Sequence, residues 1–303
     1  MDRIHIFLAS DDNYAQHSGV VLASLLANHN AGGLPLAIHY LDGGLSAVNR
    51  DRISSIVENC ANAELIFHEM SGEFRELKTD RYITHATYYR LKIDSLAGND
   101  VCKAIYLDTD VLVFGDIEEM WNIDIAGYAA GAVEDAGLRD IMPKLKKQLK
   151  MPQDSRYFNS GVLLLNLNYW REQAVGDRVM AFLHTCPRDL PHHDQDALNA
   201  TLWQETLFID PKWNVHKEVY HNYYLPDRRS RLSDAFINAV HHPAIVHYTG
   251  KIKPWHYDCG LPHVKEYYKY LACTPWAGYR PTGRSWNGLR RKLGWLLKRL
   301  LFK

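Results

Sequence analysis

Short apolar runs recur along the chain at residues 4–9, 36–41, 64–68, 104–107, 129–133 and 161–167, and the early ones alternate with stretches of helical pattern. Runs of this length suit strands covered on both faces. After the first run, Val20, Val21, Leu22, Leu25 and Leu26 fall at helical spacing. After the second, Asp42-Gly43-Gly44 marks an exit turn, and Ser46 stands ready to cap a helix reaching residue 59. A further helix is expected over 86–96. Few folds accommodate elements in this order. The one that does is α/β, with a mainly parallel central sheet flanked by helices. Hydrophobic residues make up 47% of the 303, enough to fill a core on each face of such a sheet. One domain to residue 250 is expected, followed by a less regular, basic remainder.

The 35 basic and 35 acidic side chains cancel, so the whole chain lacks the positive field of a nucleic-acid binder. The cancellation is uneven. No acidic residue follows Glu266, whereas Arg284, Arg290, Arg291, Lys292, Lys298, Arg299 and Lys303 crowd the end. Cys60, Cys102, Cys186, Cys259 and Cys273 are widely spaced, with no C-x-x-C pair. That argues against a zinc ribbon or disulfide framework and reads as buried or half-buried thiols in a reducing compartment. The first apolar run is broken by His5 and followed by Asp11 and Asp12, unlike a secretory signal. No run approaches the ~20 apolar residues of a membrane span. A cytoplasmic protein is expected, attached peripherally to the inner face of the membrane.

In sheets of this kind ligands gather at the carboxyl ends of strands. Two polar clusters fall there: Asp11-Asp12-Asn13 after the first run and Asp108-Thr109-Asp110 after the fourth. No G-x-G-x-x-G follows the first run, so the dinucleotide fingerprint is missing. Asp108 and Asp110 interrupt the apolar stretch Ile105-Tyr106-Leu107 to Val111-Leu112-Val113. Carboxylates in such a setting are costly unless paired or bound to a metal, and their oxygens suit Mg²⁺ or Mn²⁺. His247, after Ala244-Ile245-Val246, carries the imidazole to complete an Asp/Asp/His set. Gly250 permits close backbone approach, and Lys253 offers a point charge to a phosphate. Asn159 and the backbone at Gly161 can hydrogen-bond sugar hydroxyls. Taken singly, Asp194 reads as a helix cap, Arg90 as a surface cation sharing a helical face with Ala86, and Trp255 as core.

The end of the chain differs in kind. Leu289, Leu293, Leu296, Leu297, Leu300 and Leu301 recur at helical spacing among the basic residues, with Trp295 and Phe302 beside them. This is the pattern of a basic amphipathic helix that lies on an anionic membrane surface.

Six segments then stand together in order: Ala9-Ser10-Asp11-Asp12-Asn13-Tyr14, Ala86-Thr87-Tyr88-Tyr89-Arg90-Leu91-Lys92, Tyr106-Leu107-Asp108-Thr109-Asp110-Val111, Tyr157-Phe158-Asn159-Ser160-Gly161-Val162, Asp194-Gln195-Asp196, and His247-Tyr248-Thr249-Gly250 through Lys253-Pro254-Trp255-His256. In this order they resemble glycosyltransferase family 8. The resemblance implies a nucleotide-diphosphosugar transferase fold of the GT-A type, Mn²⁺ or Mg²⁺, a UDP-hexose donor and retention of anomeric configuration. By this likeness Asp108, Asp110 and His247 are the metal ligands. Asp11, Asn13 and Tyr14 hold uridine with Ala9 packed nearby, and Gly250 and Lys253 contact the diphosphate. Arg90, Asp135, Asn159, Gly161 and Asp194 surround the donor sugar. Gln195 lies near the anomeric carbon, and Asp194 is the nucleophile of any covalent route. The implied acceptor is a glycan or glycolipid, such as a lipopolysaccharide or lipooligosaccharide. Residues 1–250 read as the catalytic domain, 251–283 as an extension completing the donor site and 284–303 as the membrane tail. Ser160 and His85 depart from the family pattern, and 136–156 and 214–243, where acceptor loops are expected, match it poorly. Galactose versus glucose stays open. So do two rivals: a sugar nucleotidyltransferase, and a non-catalytic UDP-sugar or glycan-binding protein at the membrane surface.

Overall fold

The structure, a computed structural model, describes residues 2–79, 84–138, 140–186 and 190–301. Phe302, counted above with the amphipathic tail, lies outside the described residues. Strands β1 (Ile4–Ser10), β2 (Leu36–Asp42), β3 (Ala63–Glu69), β4 (Lys103–Leu107), β5 (Val111–Val113), β6 (Ala130–Glu134), β7 (Phe158–Asn166), β8 (Thr206–Phe208), β9 (Val215–His216) and β10 (Ile245–His247) form two sheets. The larger has the order β3-β2-β1-β4-β7-β6-β8. Its neighbours run parallel except at β7, which is antiparallel to both β4 and β6. The expected mainly parallel α/β sheet is therefore present.

Side-chain alternation along the strands loads both faces. Ile4, Ile6 and Leu8 of β1 join Ile105 and Leu107 of β4 in one core, under the helix Ala15–Asn28. Phe7, Tyr106, Leu163 and Leu165 point the other way, to a core closed by Trp170, Val179 and Leu198. The first core continues past residue 250. Tyr267 and Leu271 of the helix Val264–Leu271 are buried in it, and Trp255 stacks on His17 with ring centroids 3.5 Å apart. Trp255 is thus core, as its apolar bulk suggested.

Two readings need correction, and three short strands were not foreseen. The segment expected as one helix over 86–96 is a 3₁₀ helix over His85–Lys92 followed by a single α turn, Ile93–Leu96. Repeating every three residues, the 3₁₀ turn puts Thr87, rather than Ala86, on the face of Arg90. Arg90 Nε also donates to the Thr87 carbonyl at 2.9 Å, pinning the tighter turn. The cysteines are free, but Cys102 and Cys273 are exposed. Each sits at the end of an element, where its thiol reaches only a local carbonyl. The short strands β5, β8 and β9 had no apolar run long enough to stand out.

The smaller sheet, β5-β10-β9, positions the site. Asp108-Thr109-Asp110 is the turn between β4 and β5. Because β10 pairs with β5 in the register His247↔Val111, His247 arrives beside Asp110. Two backbone bonds hold the turn: Asp108 N–H donates to Gly161 O at 2.8 Å, and Tyr248 N–H to Asp110 O at 3.0 Å.

Candidate active site

At the turn, Asp108, Asp110 and His247 bring one potential ligand atom each within 4.8 Å of one another. His247 Nε2 is 3.1 Å from Asp110 Oδ1 and 3.8 Å from Asp108 Oδ2. Gly161, on the antiparallel strand β7, lies directly beneath. A Cβ at this position would fall 2.2 Å from His247 Cε1 and 2.6 Å from Asp108 Oδ2. Only glycine leaves His247 and Asp108 room. Two carboxylates and an imidazole in one cluster are a donor set for Mn²⁺ or Mg²⁺, so the residues present fit the divalent cation that the sequence implies.

Cationic side chains surround the carboxylates. Arg90 is not the surface cation it resembled in isolation: it is only 3% exposed. It pairs with Asp108 at 2.8 Å and with Asp194 at 3.1 Å, donates to Ser160 O, and lies over the Tyr106 ring at 4.2 Å. Burial alone would lower its pKa, but the two carboxylates outweigh that and hold it further up. Burial pushes Asp108 above the usual carboxylate range; neighbouring Asp110 and Asp194 add to this, while Arg90 and His247 oppose it. Burial would raise Asp110 as well, yet Lys253 and His247 together hold it well below. The Lys253 ammonium reaches both Asp110 Oδ2 and Tyr248 O. A divalent cation would reverse the penalty on Asp108 by matching its charge.

On the other side of Arg90 stands the helix His193–Leu202. Asp194 is not its cap. It lies inside the first turn, 3% exposed, and accepts from Thr87 Oγ1 at 2.6 Å, from Arg90 and from Ser160 Oγ at 3.4 Å. The cap position is His192, which makes no side-chain cap bond, and Asp196 accepts from the backbone N–H of His192 at 2.8 Å and from Tyr157 Oη at 2.6 Å. Gln195 is fixed at both ends of its amide. Ser160 N–H donates to Oε1 at 3.0 Å, while Nε2 donates to Asp135 Oδ2 and Tyr157 Oη, each at 3.3 Å. Asp135 also accepts from Asn159 Nδ2 at 3.3 Å.

The structure therefore joins Arg90, Asp108, Asp110, Asp135, Asn159, Gly161, Asp194, Gln195, His247 and Lys253 into one hydrogen-bonded and packed cluster. Asp11 and Asn13 are not bonded into it. Asp11 caps a short 3₁₀ turn by accepting Asn13 N–H at 3.0 Å. Tyr14 spans the gap, edge-on to Trp255 with centroids 5.9 Å apart. Burial, with Asp110 and Asp11 adding to it, pushes its hydroxyl up to about 12. Ala9 is buried at the carboxyl end of β1. Gly250 is in the left-handed region at φ +75°, with a hypothetical Cβ 3.1 Å from Lys217 Nζ. Sequence reasoning missed Asn214, fully buried between His247 and Asn159. It lies in a stretch with no motif to mark it. Tyr157 and Thr87 stood inside recognised segments, but spacing alone gave them no partner.

Similar proteins point the same way as the geometry. General stress protein A of Bacillus subtilis is 32% identical over 90% of this chain and 94% of its own length. The lipopolysaccharide glucosyltransferase WaaO of Escherichia coli is 28% identical over 90% of this chain and 79% of its own. The crystal structure of the galactosyltransferase LgtC, solved in complex with donor and acceptor sugar analogues, superposes with a TM-score of 0.77 at 26% identity, covering 95% of this chain and all of LgtC. The fold is accordingly that of the GT-A glycosyltransferases. Residues 5–259, which include the carboxylate turn, the Arg90 network and the loop bearing Lys253, match the sequence profile of Glycosyl transferase family 8, and the chain belongs to that family of glycosyltransferases.

Proposed function

We propose that this hexosyltransferase takes galactose or glucose from a UDP-sugar and transfers it, with retention of anomeric configuration, to a glycan or glycolipid acceptor of the lipopolysaccharide type. The observation that carries this reading is the Asp108/Asp110/His247 cluster in contact with the Arg90–Asp194–Gln195 network. Similarity to a lipopolysaccharide glucosyltransferase and to a galactosyltransferase supports the hexose and the acceptor class.

The cluster would hold Mn²⁺ or Mg²⁺, which supplies Lewis-acid stabilisation of a diphosphate leaving group. Lys253 brings a second positive charge to the same place and neutralises phosphate oxygens as charge develops on departing UDP. Asp11, Asn13 and Tyr14, at the end of β1, hold the uridine. Arg90 pairs with Asp194 and fixes it beneath the sugar. Because Asp194 already accepts from Thr87, Arg90 and Ser160, its lone pairs are stabilised and it is a weak nucleophile. That favours attack by the acceptor hydroxyl from the face UDP leaves, over a covalent intermediate. In this scheme the Gln195 carbonyl, held by Ser160 N–H, stabilises the cationic anomeric centre, and a phosphate oxygen of UDP takes the acceptor proton.

The tail helix Trp286–Leu301 would place the site at an anionic membrane. Trp295 packs on Gly260 and Arg291 pairs with Asp258 at 2.7 Å, while Trp286, Leu293, Leu297, Leu300 and Leu301 stay exposed. No helix among the described residues is long and apolar enough to cross a membrane.

The test is UDP release from a panel of UDP-sugars with Mn²⁺ and with EDTA. One UDP-hexose should be hydrolysed slowly in an EDTA-sensitive way, and Asp110→Asn should abolish it. Turnover indifferent to EDTA, or full activity in Asp110→Asn, would overturn the metal-site reading.

A further inference from the structure

The orientation of both asparagine amides in the buried chain beside the metal cluster can be deduced from one backbone group. Gly161 N–H can only donate, and it points at Asn159 Oδ1 at 3.1 Å. That atom is therefore the Asn159 carbonyl oxygen, and its amide nitrogen faces Asp135 Oδ2. Asn214 also meets Asn159 Oδ1, at 2.9 Å, and must present its own NH₂ there. Its carbonyl oxygen is then the atom 3.0 Å from His247 Nδ1. A carbonyl oxygen requires a hydrogen on Nδ1. Nε2 is then the ring nitrogen left to ligate a cation, on the side of the ring that faces Asp110 and Asp108.

We infer that Asn214 is the positioning residue of the metal centre. It sets the His247 tautomer and ring angle through its oxygen, and through its nitrogen it is the second donor, beside Gly161 N–H, that holds the Asn159 carbonyl oxygen. Asn214 is fully buried, so no water competes for either bond. The same carboxamide thereby ties His247 to Asn159, a residue of the donor-sugar side. Outer partners of ligating imidazoles act in this way, by fixing tautomer and orientation. The inference rests on the functional reading above.

The two ends of the carboxamide can be separated by substitution. Asn214→Asp keeps an acceptor for His247 Nδ1–H but cannot donate to Asn159. Asn214→Leu removes both ends at similar volume. Mn²⁺ affinity, measured by calorimetric titration in the presence of UDP, should fall about 10- to 100-fold in Asn214→Leu and stay near wild type in Asn214→Asp. In Asn214→Asp the loss should appear in kcat and in the KM for the UDP-sugar. Thermal melts report whether each variant folds. If Asn214→Leu does not fold, Asn214→Asp decides: unchanged kinetics would sink the inference, and the split between metal affinity and kinetics would support it. Wild-type Mn²⁺ affinity in a folded Asn214→Leu also overturns it. A wild-type chain that binds no Mn²⁺ would instead bring down the functional reading on which it rests.

Discussion

Gly161 decides how closely the ligand atoms of the cluster can approach. With a hypothetical Cβ 2.2 Å from His247 Cε1, Gly161→Ala must push His247 away from Asp108 or bend β7. Mn²⁺ titration of this variant should show affinity reduced by about 10-fold or more, with the cooperative melt retained. An unchanged affinity would mean that the three side chains do not act together on one ion. Gln195 allows a different check. Its amide touches Ser160, Asp135 and Tyr157 and is only 9% exposed. Gln195→Ala should lower kcat by about 100-fold while moving the donor KM little, as expected for a group that matters in the transition state. The reverse pattern would make it a binding residue. The residues of the carboxylate–imidazole cluster are legible in the sequence because they stand in or beside short polar insertions between apolar runs. Asn214 is not. Its meaning comes from two contacts across the fold, and neither leaves a trace in local spacing.

The parallel strands β1, β2 and β3 carry a second buried polar feature. His5 Nδ1 is 3.0 Å from His39 Nε2, and His39 Nδ1 is 2.9 Å from His68 Nε2. Phe7 stacks on the central ring at 4.2 Å. Burial lowers all three imidazoles, with His68 and His5 also acting on His39, which is held at about 3. The unfolded chain, with histidines near 6.5, binds more protons than the folded one as pH drops. Stability is therefore full above that value and falls progressively towards about pH 3. His39 alone should cost about 2 kcal/mol at about pH 5. Urea unfolding at about pH 7.5 and about pH 5 should show the loss, and His39→Leu should shrink the difference by a similar amount. An equal pH dependence in the variant would place the sensitivity elsewhere. The strands themselves are readable as apolar runs. The 3₁₀ turn over His85–Lys92 is not, because Arg90 selects it by reaching across to Asp108 and Asp194, and propensity over eight residues carries no record of a distant carboxylate.

The strands of the larger sheet, except the short edge strand β8, and the position of the carboxylate turn follow from the alternation of apolar and helical segments. The smaller sheet follows only in part: β10 is announced by Ala244-Ile245-Val246, whereas β5 and β9 are too short to be seen until they pair. The tail helix makes the remaining prediction. Trp295, Arg291 and Arg299 dock it on residues 258–261, and its leucine row faces outward. Deleting residues 284–303 should release the protein from anionic vesicles in a flotation assay while leaving turnover of a soluble acceptor within about two-fold, because the row touches none of the catalytic cluster. Unchanged flotation would refute the membrane role. The pairing of β5 with β10 also has a consequence for how the protein is made. The ribosome delivers Asp108 and Asp110 long before His247 and Lys253, which arrive with and just after β10. A nascent chain halted before that point has the carboxylates but neither the imidazole nor the ammonium. On the function proposed above, catalytic competence would thus be acquired late in synthesis, and truncated products would not consume nucleotide sugar.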